Sequence, residues 1–220
     1  MRKKIGQVLF FVGMLLGLLF GTAATGGAQN AASLLDKAAG LYEDSNGMEA
    51  RFAMHNRSDI QQVSESFEGT IAMKGDKFVL TTPDMITWFD GTTQWVYLER
   101  NEEVNVSHPT GDELQMTNPA LLLRLYKKGF TPSLKGESTT TAGKVAYEIE
   151  LLPKKKSDIL KVNLQIEKLS GLPASISVES KNGMVTTIRI SQVKMGLNQP
   201  DSFFVFNEAD YPDAEVIDLR

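Results

Sequence analysis

The fold is decided by the stretch from Phe67 to Val106, which reads FEGTIAMKGDKFVLTTPDMITWFDGTTQWVYLERNEEVNV. Short runs rich in Val, Ile, Thr and aromatic residues alternate with the breaks Lys-Gly-Asp, Asp-Gly and Arg-Asn-Glu. Such a pattern is typical of antiparallel strands joined by tight hairpins, and Asp90 with Gly91 suits a two-residue turn. The stretch therefore predicts an antiparallel meander.

Two of these predicted strands are apolar on both faces. In the first, Met85 and Phe89 alternate with Ile86 and Trp88. In the second, from Trp95 to Leu98, aromatic residues alternate with aliphatic ones. A sheet with two apolar faces must be covered twice, by the core on one side and by a second layer or a ligand on the other.

The rest of the chain predicts two helices and further strands. Apolar residues recur at helical spacing in a segment capped by Asn30 or Ser33 and ending near Glu43. A second helix is bounded by Asn118-Pro119 and Gly129. Alternating patterns predict strands at 48–57, 145–151, 160–167, 175–179, 185–191 and 203–206, the last before an acidic tail.

The predicted architecture is mainly β (α+β), with one domain spanning residues 29–220. A long antiparallel sheet tends to curl. We expect it to form an incomplete barrel whose concave face is covered by the two helices.

The N-terminus has the pattern of a cleaved secretory signal peptide, residues 1–28. Three basic residues precede an apolar run from Ile5 to Phe20, and small residues follow. We expect cleavage before Gln29, with a site after Ala24 as the second choice. The alternative is a retained membrane anchor, but the run is shorter than the ~20 residues that span a bilayer.

Composition excludes several classes of function. The chain has no cysteine, so it has neither disulfides nor a lipidated cysteine. Loss of the three leader cations leaves 20 Lys plus Arg against 27 Asp plus Glu, a net charge of −7. No basic block remains for nucleic acid or for an anionic membrane surface. We therefore expect a protein of an extracytoplasmic space.

The sequence offers little material for catalysis. Its two histidines, His55 and His108, lie in a predicted strand and a loop without a recognisable nucleophile motif. No histidine or carboxylate spacing is typical of a metal site. We expect no catalytic residues, no metal, no cofactor and no enzymatic activity.

Apolar side chains are the remaining candidates for a functional site. For any one of them, the alternative to binding a ligand is ordinary core packing. Burying an acyl chain would recover about 0.8 kcal/mol per methylene, and methionine would let a cavity adapt to it. The predicted acyl-chain cavity is lined by Phe67, Ile71, Met73, Phe78, Leu80, Trp88, Phe89, Trp95, Tyr97, Leu121, Leu122 and Leu125.

The order of these features resembles the LolA-type outer-membrane lipoprotein carriers. The matching features are the leader, the N-terminal helix, the Phe67-x-Gly69-x-Ile71 strand, and the run from Asp90 to Tyr97. They continue with the helix starting at Asn118 and the Phe204-x-Phe206 segment before Val216 to Leu219. Together they span essentially the whole mature chain.

The resemblance implies an incomplete barrel closed by helices and a periplasmic carrier of acylated lipoproteins. Its partners would be an inner-membrane lipoprotein-releasing transporter and an outer-membrane receptor, and we expect a monomer. The family's Arg-Pro, which helps to hold the helical lid shut, is replaced here by a run from Lys74 to Phe78. We expect Lys74 or Lys77 to bond lid carbonyls instead, and the helix of Leu121–Tyr126 to move.

Two other functions remain open from the sequence. One is a periplasmic lipid-binding or lipoprotein-sensing module on the same half-barrel, which is also non-enzymatic. The other is a secreted enzyme, which would require a polar cluster. An apolar cavity that takes up lipid would favour the carrier.

Overall fold

The computed structural model describes residues 23–109 and 125–220. Two α-helices are described, α1 (Ala23–Glu43) and α2 (Leu125–Gly129). The strands are β1 (Met48–Ser58), β2 (Val63–Lys74), β3 (Lys77–Thr81), β4 (Met85–Phe89), β5 (Gln94–Leu98), β6 (Glu103–Ser107), β7 (Phe130–Thr139), β8 (Val145–Pro153), β9 (Ile159–Glu167), β10 (Pro173–Ser180), β11 (Val185–Met195) and β12 (Glu215–Asp218).

All described strands belong to one sheet, in the order β12-β6-β5-β4-β3-β2-β1-β11-β10-β9-β8-β7. The two meanders, β1–β6 and β7–β11, are joined by the antiparallel pairing of β1 with β11. β12 lies parallel to β6 at one edge. The edge strands β12 and β7 are not paired with each other, so the sheet is an open barrel. The predicted mainly β, incomplete barrel is confirmed.

Helix α1 covers the inner face of the sheet. Its buried stripe packs on β7–β10 in a first cluster, which includes Ala31, Leu35, Ala38, Ile149 and Leu164. The stripe matches the predicted helical spacing, and the helix ends at Glu43 as expected. It begins at Ala23, earlier than the predicted caps. At its other end, Asn46 and Gly47 adopt positive φ and turn the chain into β1.

The inner face of β1–β4 forms a second cluster with the end of α1. Tyr42, Phe52, Ile71, Phe78 and Phe89 are among its buried members. Phe78 and Phe89 are cross-strand partners, with ring centroids 5.4 Å apart. Most buried members of this cluster line the cavity described below, whereas Phe78 and Phe89 do not.

The outer face of β4–β6 is covered by the C-terminal segment, residues 196–214. Trp88, Val104 and Val106 form a third cluster with Phe206 of this segment, and Trp95, Tyr97 and Tyr211 pack against it. The two-faced strands therefore have the core on one side and a second layer on the other. The second layer, one of the two coverings that the sequence allowed, comes from the end of the chain.

The C-terminal segment differs from the prediction in its secondary structure. Residues Asp201–Phe204 form a 3-10 helix, whereas a strand was predicted over 203–206. The apolar alternation is real, because Phe204 and Phe206 are buried while Phe203 and Val205 are exposed. A 3-10 turn followed by an extended residue produces the same alternation as a strand, so periodicity alone was misleading. The predicted acidic tail includes β12.

Candidate functional site: an apolar cavity beneath the first helix

A cavity of about 290 Å³ lies between the end of α1 and the inner face of the sheet. It is formed where the two meanders meet, so strands from both contribute. Nearly all of its lining residues are apolar. They are Ala38, Tyr42, Met48, Ala50, Phe52, Met54, Phe67, Ile71, Met73, Leu80, Thr82, Met85, Leu172, Pro173, Ile176, Ile188, Ile190 and Val193.

The two hydroxyl groups of this lining already have partners. The Tyr42 hydroxyl donates to the Gly75 carbonyl at 2.7 Å, and the Thr82 hydroxyl donates to the Met85 carbonyl at 3.1 Å. Burial, with a smaller contribution from Asp76, raises the pKa of Tyr42 well above its ordinary value. The phenol therefore stays neutral, and the cavity presents hydrocarbon and thioether groups to a ligand.

Methionine supplies much of the adaptability of the wall. Met48 and Met54 of β1, Met73 of β2 and Met85 of β4 all line the cavity, and Met48 and Met73 are cross-strand partners. An unbranched thioether has several low-energy conformers, so it can follow the shape of different apolar ligands. The wall is suited to a flexible hydrocarbon rather than to one rigid molecule.

Gly69 explains how Phe52 can lie in the lining. The two residues are cross-strand partners on β1 and β2. A Cβ atom at Gly69 would lie 2.5 Å from the Phe52 ring and 2.4 Å from the Thr81 carbonyl oxygen. The glycine thus gives the Phe52 ring room to lie over the strand, which gives the Phe67-x-Gly69-x-Ile71 motif a structural role.

The structure brings only some of the predicted cavity residues together. Phe67, Ile71, Met73 and Leu80 line the cavity. Phe78 and Phe89 lie on the same inner face, where their rings pack against each other, but they do not line the cavity. The prediction also included residues of the outer face, because the sequence pattern separates the two faces of the meander without showing which one is inner.

Trp88, Trp95 and Tyr97 lie on the opposite side of the sheet from the cavity, which corrects their predicted role. The Trp88 ring contacts Phe206 and Tyr211 at centroid distances of 5.5 and 5.6 Å. Tyr97 contacts Tyr211 at 4.7 Å. Successive side chains of a strand point to opposite faces of the sheet, so these three aromatic residues of β4 and β5 lie on the outer face. There they stabilise the C-terminal segment.

Lys74 and Lys77, the predicted lid residues, contact the C-terminal segment. The Lys74 ammonium donates to the Gln199 carbonyl at 2.7 Å. The Lys77 ammonium lies 2.8 Å from the Asp201 carboxylate and lowers the pKa of that group. Within the part of the chain that the structure describes, these lysines attach the C-terminal segment to the β2–β3 hairpin. Their predicted bonds to lid carbonyls stay a prediction.

Of the predicted lid helix, the structure describes the last turn. Leu121 and Leu122 lie outside the described residues, and Leu125 is the first residue of α2. The Tyr126 hydroxyl donates to Asp36 of α1 at 2.6 Å, and the Lys127 ammonium is 2.6 Å from the same carboxylate. Burial and this hydrogen bond raise the pKa of Tyr126. This end of the helix is attached to α1, and its predicted movement stays a prediction.

Sequence reasoning missed the half of the cavity formed by the second meander. Ile176 on β10 and Ile188, Ile190 and Val193 on β11 line it. Their alternation was visible in the sequence. Their place in the cavity was not visible, because it depends on the pairing of β11 with β1. This pairing brings Ile188 and Ile190 next to Met54 and Phe52, and it joins residues too distant in the chain for a local pattern to reveal.

A second groove, with polar side chains, is lined by residues of β1, β2 and β11. The Nδ1 atom of His55 and the hydroxyl of Ser66 are 2.7 Å apart in an open groove that also contains Glu68 and Arg189. In residues 23–109 and 125–220, no group of three histidine or acidic side chains could hold a metal ion. No helix in these ranges is both long and apolar enough to cross a membrane.

The chain thus has an open, largely antiparallel barrel, a helix over the inner face of the barrel and an apolar cavity between them. Residues 21–183 match the family described as outer membrane lipoprotein carrier protein LolA. The chain belongs to this family. A comparison with curated proteins gave no match.

Solved structures with this fold are distant in sequence. An uncharacterized conserved protein from Thermus thermophilus is 15% identical, with a TM-score of 0.57 over 86% of this chain and 99% of that one. LprF from Mycobacterium bovis is 9% identical, with a TM-score of 0.50 over 79% and 96%. A LolA superfamily protein from Nitrosomonas europaea is 15% identical, with a TM-score of 0.43 over 80% and 97%.

Proposed function

We propose that this protein is a non-enzymatic periplasmic carrier that binds lipoprotein acyl chains in the cavity beneath α1. It would take them from an inner-membrane transporter and deliver them to an outer-membrane receptor. The observation that carries the proposal is the lining itself. Among 18 lining residues, two bear hydroxyl groups, and both hydroxyls donate to backbone carbonyls. A site of this kind recognises hydrocarbon.

The energetics suit a carrier. Each buried methylene contributes about 0.8 kcal/mol, so a chain can be held without a polar anchor or a covalent bond. Binding that comes from many equivalent methylene groups is also graded, because a chain can be withdrawn stepwise. A carrier needs both properties, since it must shield its cargo in transit and then release it.

Membership of the lipoprotein-carrier family supports the direction of transport. The basic start followed by an apolar run supports export to the periplasm. The chain has no cysteine that could be lipidated, which fits a carrier that moves between the two membranes. These three observations come from the sequence, and they add to the support that the apolar cavity gives the proposal.

A solubilisation assay tests the proposal. Mature protein is purified from the periplasm without detergent, and native mass spectrometry identifies any bound lipoprotein. The protein is then mixed with membranes holding an acylated lipoprotein, and the soluble complex is measured. A cargo whose acylated cysteine is replaced by serine is the matched control for the cargo. We expect a soluble complex with the acylated form alone.

A pair of variants on one strand tests the site. Ile188→Trp fills the cavity, whereas Thr187→Trp places the same ring on the opposite face of β11, where Thr187 lies 3.2 Å from the Ser177 hydroxyl. We expect the first variant to lose at least tenfold in complex formation and the second to keep it. Equal losses, or no complex with the unaltered protein, would count against a carrier that uses this cavity.

A further inference from the structure

The inner face of the sheet changes from apolar to polar at one edge of the cavity. Four cross-strand neighbours, one each from β2, β1, β11 and β10, line the cavity, namely Phe67, Met54, Ile188 and Ile176. Two positions further along, on the same face, the neighbours from β2, β1 and β11 are Glu65, Asn56 and Thr186. These three residues, called the polar row below, border the apolar lining.

The polar row lies at the more exposed end of the cavity. On β1 the inward side chains of Met48 and Phe52 are buried, whereas that of Asn56 is half-buried. On β2 the side chain of Met73 is buried, whereas that of Glu65 is exposed. A hydrocarbon chain that enters from solvent therefore reaches the buried end with its methyl group and leaves its polar end beside the row.

The Asn56 amide is suited to donate a hydrogen bond at this place. The Thr186 hydroxyl donates to the Asn56 Oδ1 atom at 2.8 Å, which fixes the amide and leaves both of its N–H groups free of this contact. An acyl chain carries one acceptor directly beside its hydrocarbon, the carbonyl oxygen of its ester or amide. With the hydrocarbon in the cavity, that oxygen would lie level with the row.

From this arrangement we infer that the polar row is the subsite for the carbonyl end of the acyl chain. The Asn56 amide donates to the ester or amide carbonyl, and the hydrocarbon is directed toward Met48 and Met73. The inference rests on the proposed acyl-chain binding and specifies the orientation and linkage of the ligand. One such hydrogen bond adds about fivefold in affinity, about as much as one further methylene. The cavity therefore still supplies most of the affinity, and the row selects and orients the chain.

Glu65 determines which charge the subsite accepts. Its exposed carboxylate belongs to the cross-strand partner of Asn56, and the Cβ atoms of such partners lie about 4.5–5.5 Å apart. A ligand carboxylate at Asn56 would meet a like charge, whereas a neutral carbonyl would not. The ligand class is therefore an ester-linked or amide-linked acyl chain rather than a free fatty acid.

Two lipids that differ at the carbonyl test the subsite. One is a monoacylglycerol, and the other is the alkylglycerol ether with the same number of chain carbons, which lacks the carbonyl oxygen. Each is used below its micelle concentration and measured by isothermal titration calorimetry. We expect the unaltered protein to bind the ester about fivefold more tightly than the ether. Equal affinities would overturn the inference and leave the carrier proposal standing, whereas both would fall if neither lipid bound.

Variants of the polar row place the preference at Asn56. Asn56→Ala should bring the two affinities within about twofold of each other. Thr186→Val keeps the shape of the side chain but removes the hydroxyl that holds the amide, so it should reduce the preference and serves as a second test if the first variant misfolds. A preference that survived in both variants would overturn the assignment.

Asn163→Ala is the matched control for Asn56→Ala. Asn163 lies on β9 between Val162 and Leu164 of the first cluster, so its side chain points to the outer face of the sheet. This variant should keep the full preference for the ester. An equal loss of preference in the control would show that the effect does not come from the polar row and would overturn the assignment.

A free fatty acid of the same chain length tests the ligand class. At neutral pH it should bind the unaltered protein more weakly than the ester does. Glu65→Gln should raise the affinity for the fatty acid about twofold, because it removes a like charge, and leave the affinity for the ester unchanged. A fatty acid that bound more tightly than the ester would overturn the assigned ligand class.

Discussion

Removal of the Tyr42 hydroxyl tests most directly whether the cavity binds its ligand without a polar anchor. It donates to the Gly75 carbonyl at 2.7 Å, and Gly75 lies in an exposed hairpin. In a Tyr42→Phe variant, water can reach that carbonyl, so no buried acceptor is left without a partner. The free energy of unfolding should then fall by the net contribution of one hydrogen bond, about 1 kcal/mol.

Two measurements on the Tyr42→Phe variant separate stability from binding. Urea unfolding followed by tryptophan fluorescence should show a loss of about 0.5–1.5 kcal/mol, which corresponds to a few degrees in melting temperature for a chain of this size. Affinity for a single-chain lipid should change by less than about twofold, because the hydroxyl is not available to a ligand. Tyr126→Phe is the matched control, since its hydroxyl donates to Asp36 away from the cavity.

The outcome that would refute this reasoning is a large loss of affinity. A tenfold weaker binding is worth 1.4 kcal/mol, which is the size of a hydrogen bond between the Tyr42 hydroxyl and a ligand. That result would mean that the Tyr42 hydroxyl leaves Gly75 to bind a head group inside the cavity. A loss of stability above about 3 kcal/mol would instead show that the Gly75 carbonyl is cut off from water.

The pKa of Tyr42 adds a pH dependence with a definite sign. Its ordinary value is 10.0, and burial raises it in the folded protein. Above pH 10.0 the unfolded chain therefore releases a proton that the folded chain keeps, so stability falls as the pH rises. The Tyr42→Phe variant should show less of this fall, and its stability difference from the unaltered protein should narrow above pH 10.0. A difference that stays constant would contradict this account.

Three further changes are expected to have distinct effects. Phe206→Ala should lower the free energy of unfolding, measured with urea, by about 3–5 kcal/mol, because the buried Phe206 ring packs on Trp88. The affinity for an acyl ligand should stay unchanged. A parallel loss of affinity would contradict the separation of the inner and outer layers. Gly69→Ala should destabilise by at least about 1–3 kcal/mol, because its Cβ atom would meet the Thr81 carbonyl at 2.4 Å, and a neutral result would contradict the packing. Lys77→Met should raise the pKa of Asp201 toward 3.8 in an NMR titration, and an unchanged value would exclude the contact.

Local chemistry explains which parts of the fold could be predicted. The hairpins at Asp90-Gly91 and Lys181-Asn182-Gly183 were predictable because a turn is specified by the residues that form it. Gly91 and Gly183 indeed adopt positive φ. The first connection is longer than the predicted two-residue turn, because Phe89 pairs with Gln94 and residues 90–93 lie between them. By contrast, the partner of Trp88 is Phe206, which lies far along the chain, two residues after the 3-10 turn of Asp201–Phe204, in a segment that has the alternation of a strand.

The site was predicted in part for the same reason. Phe67 and Ile71 could be assigned to an apolar face, but nothing local distinguishes the inner face from the outer one when both are apolar. That distinction depends on which face α1 covers and on the pairing of β1 with β11. The same pairing brings Ile188 into the cavity. Non-local contacts therefore decide the site, whereas local patterns decide the strands.

The division of the sheet into an inner and an outer layer also separates the packing that stabilises the fold from the wall of the cavity. At about 24 cal/mol per Å³, a fully dry void of about 290 Å³ would cost roughly 7 kcal/mol, comparable to the whole stability of a typical domain. The outer layer around Trp88 and the first cluster around Leu35 bury apolar surface without using the cavity. These layers contribute to stability independently of the cavity, so the wall of Met48 and Met73 does not have to be close-packed. In the carrier that we propose, an acyl ligand would add packing at this wall, and loading should stabilise the protein by the same contacts that hold the cargo.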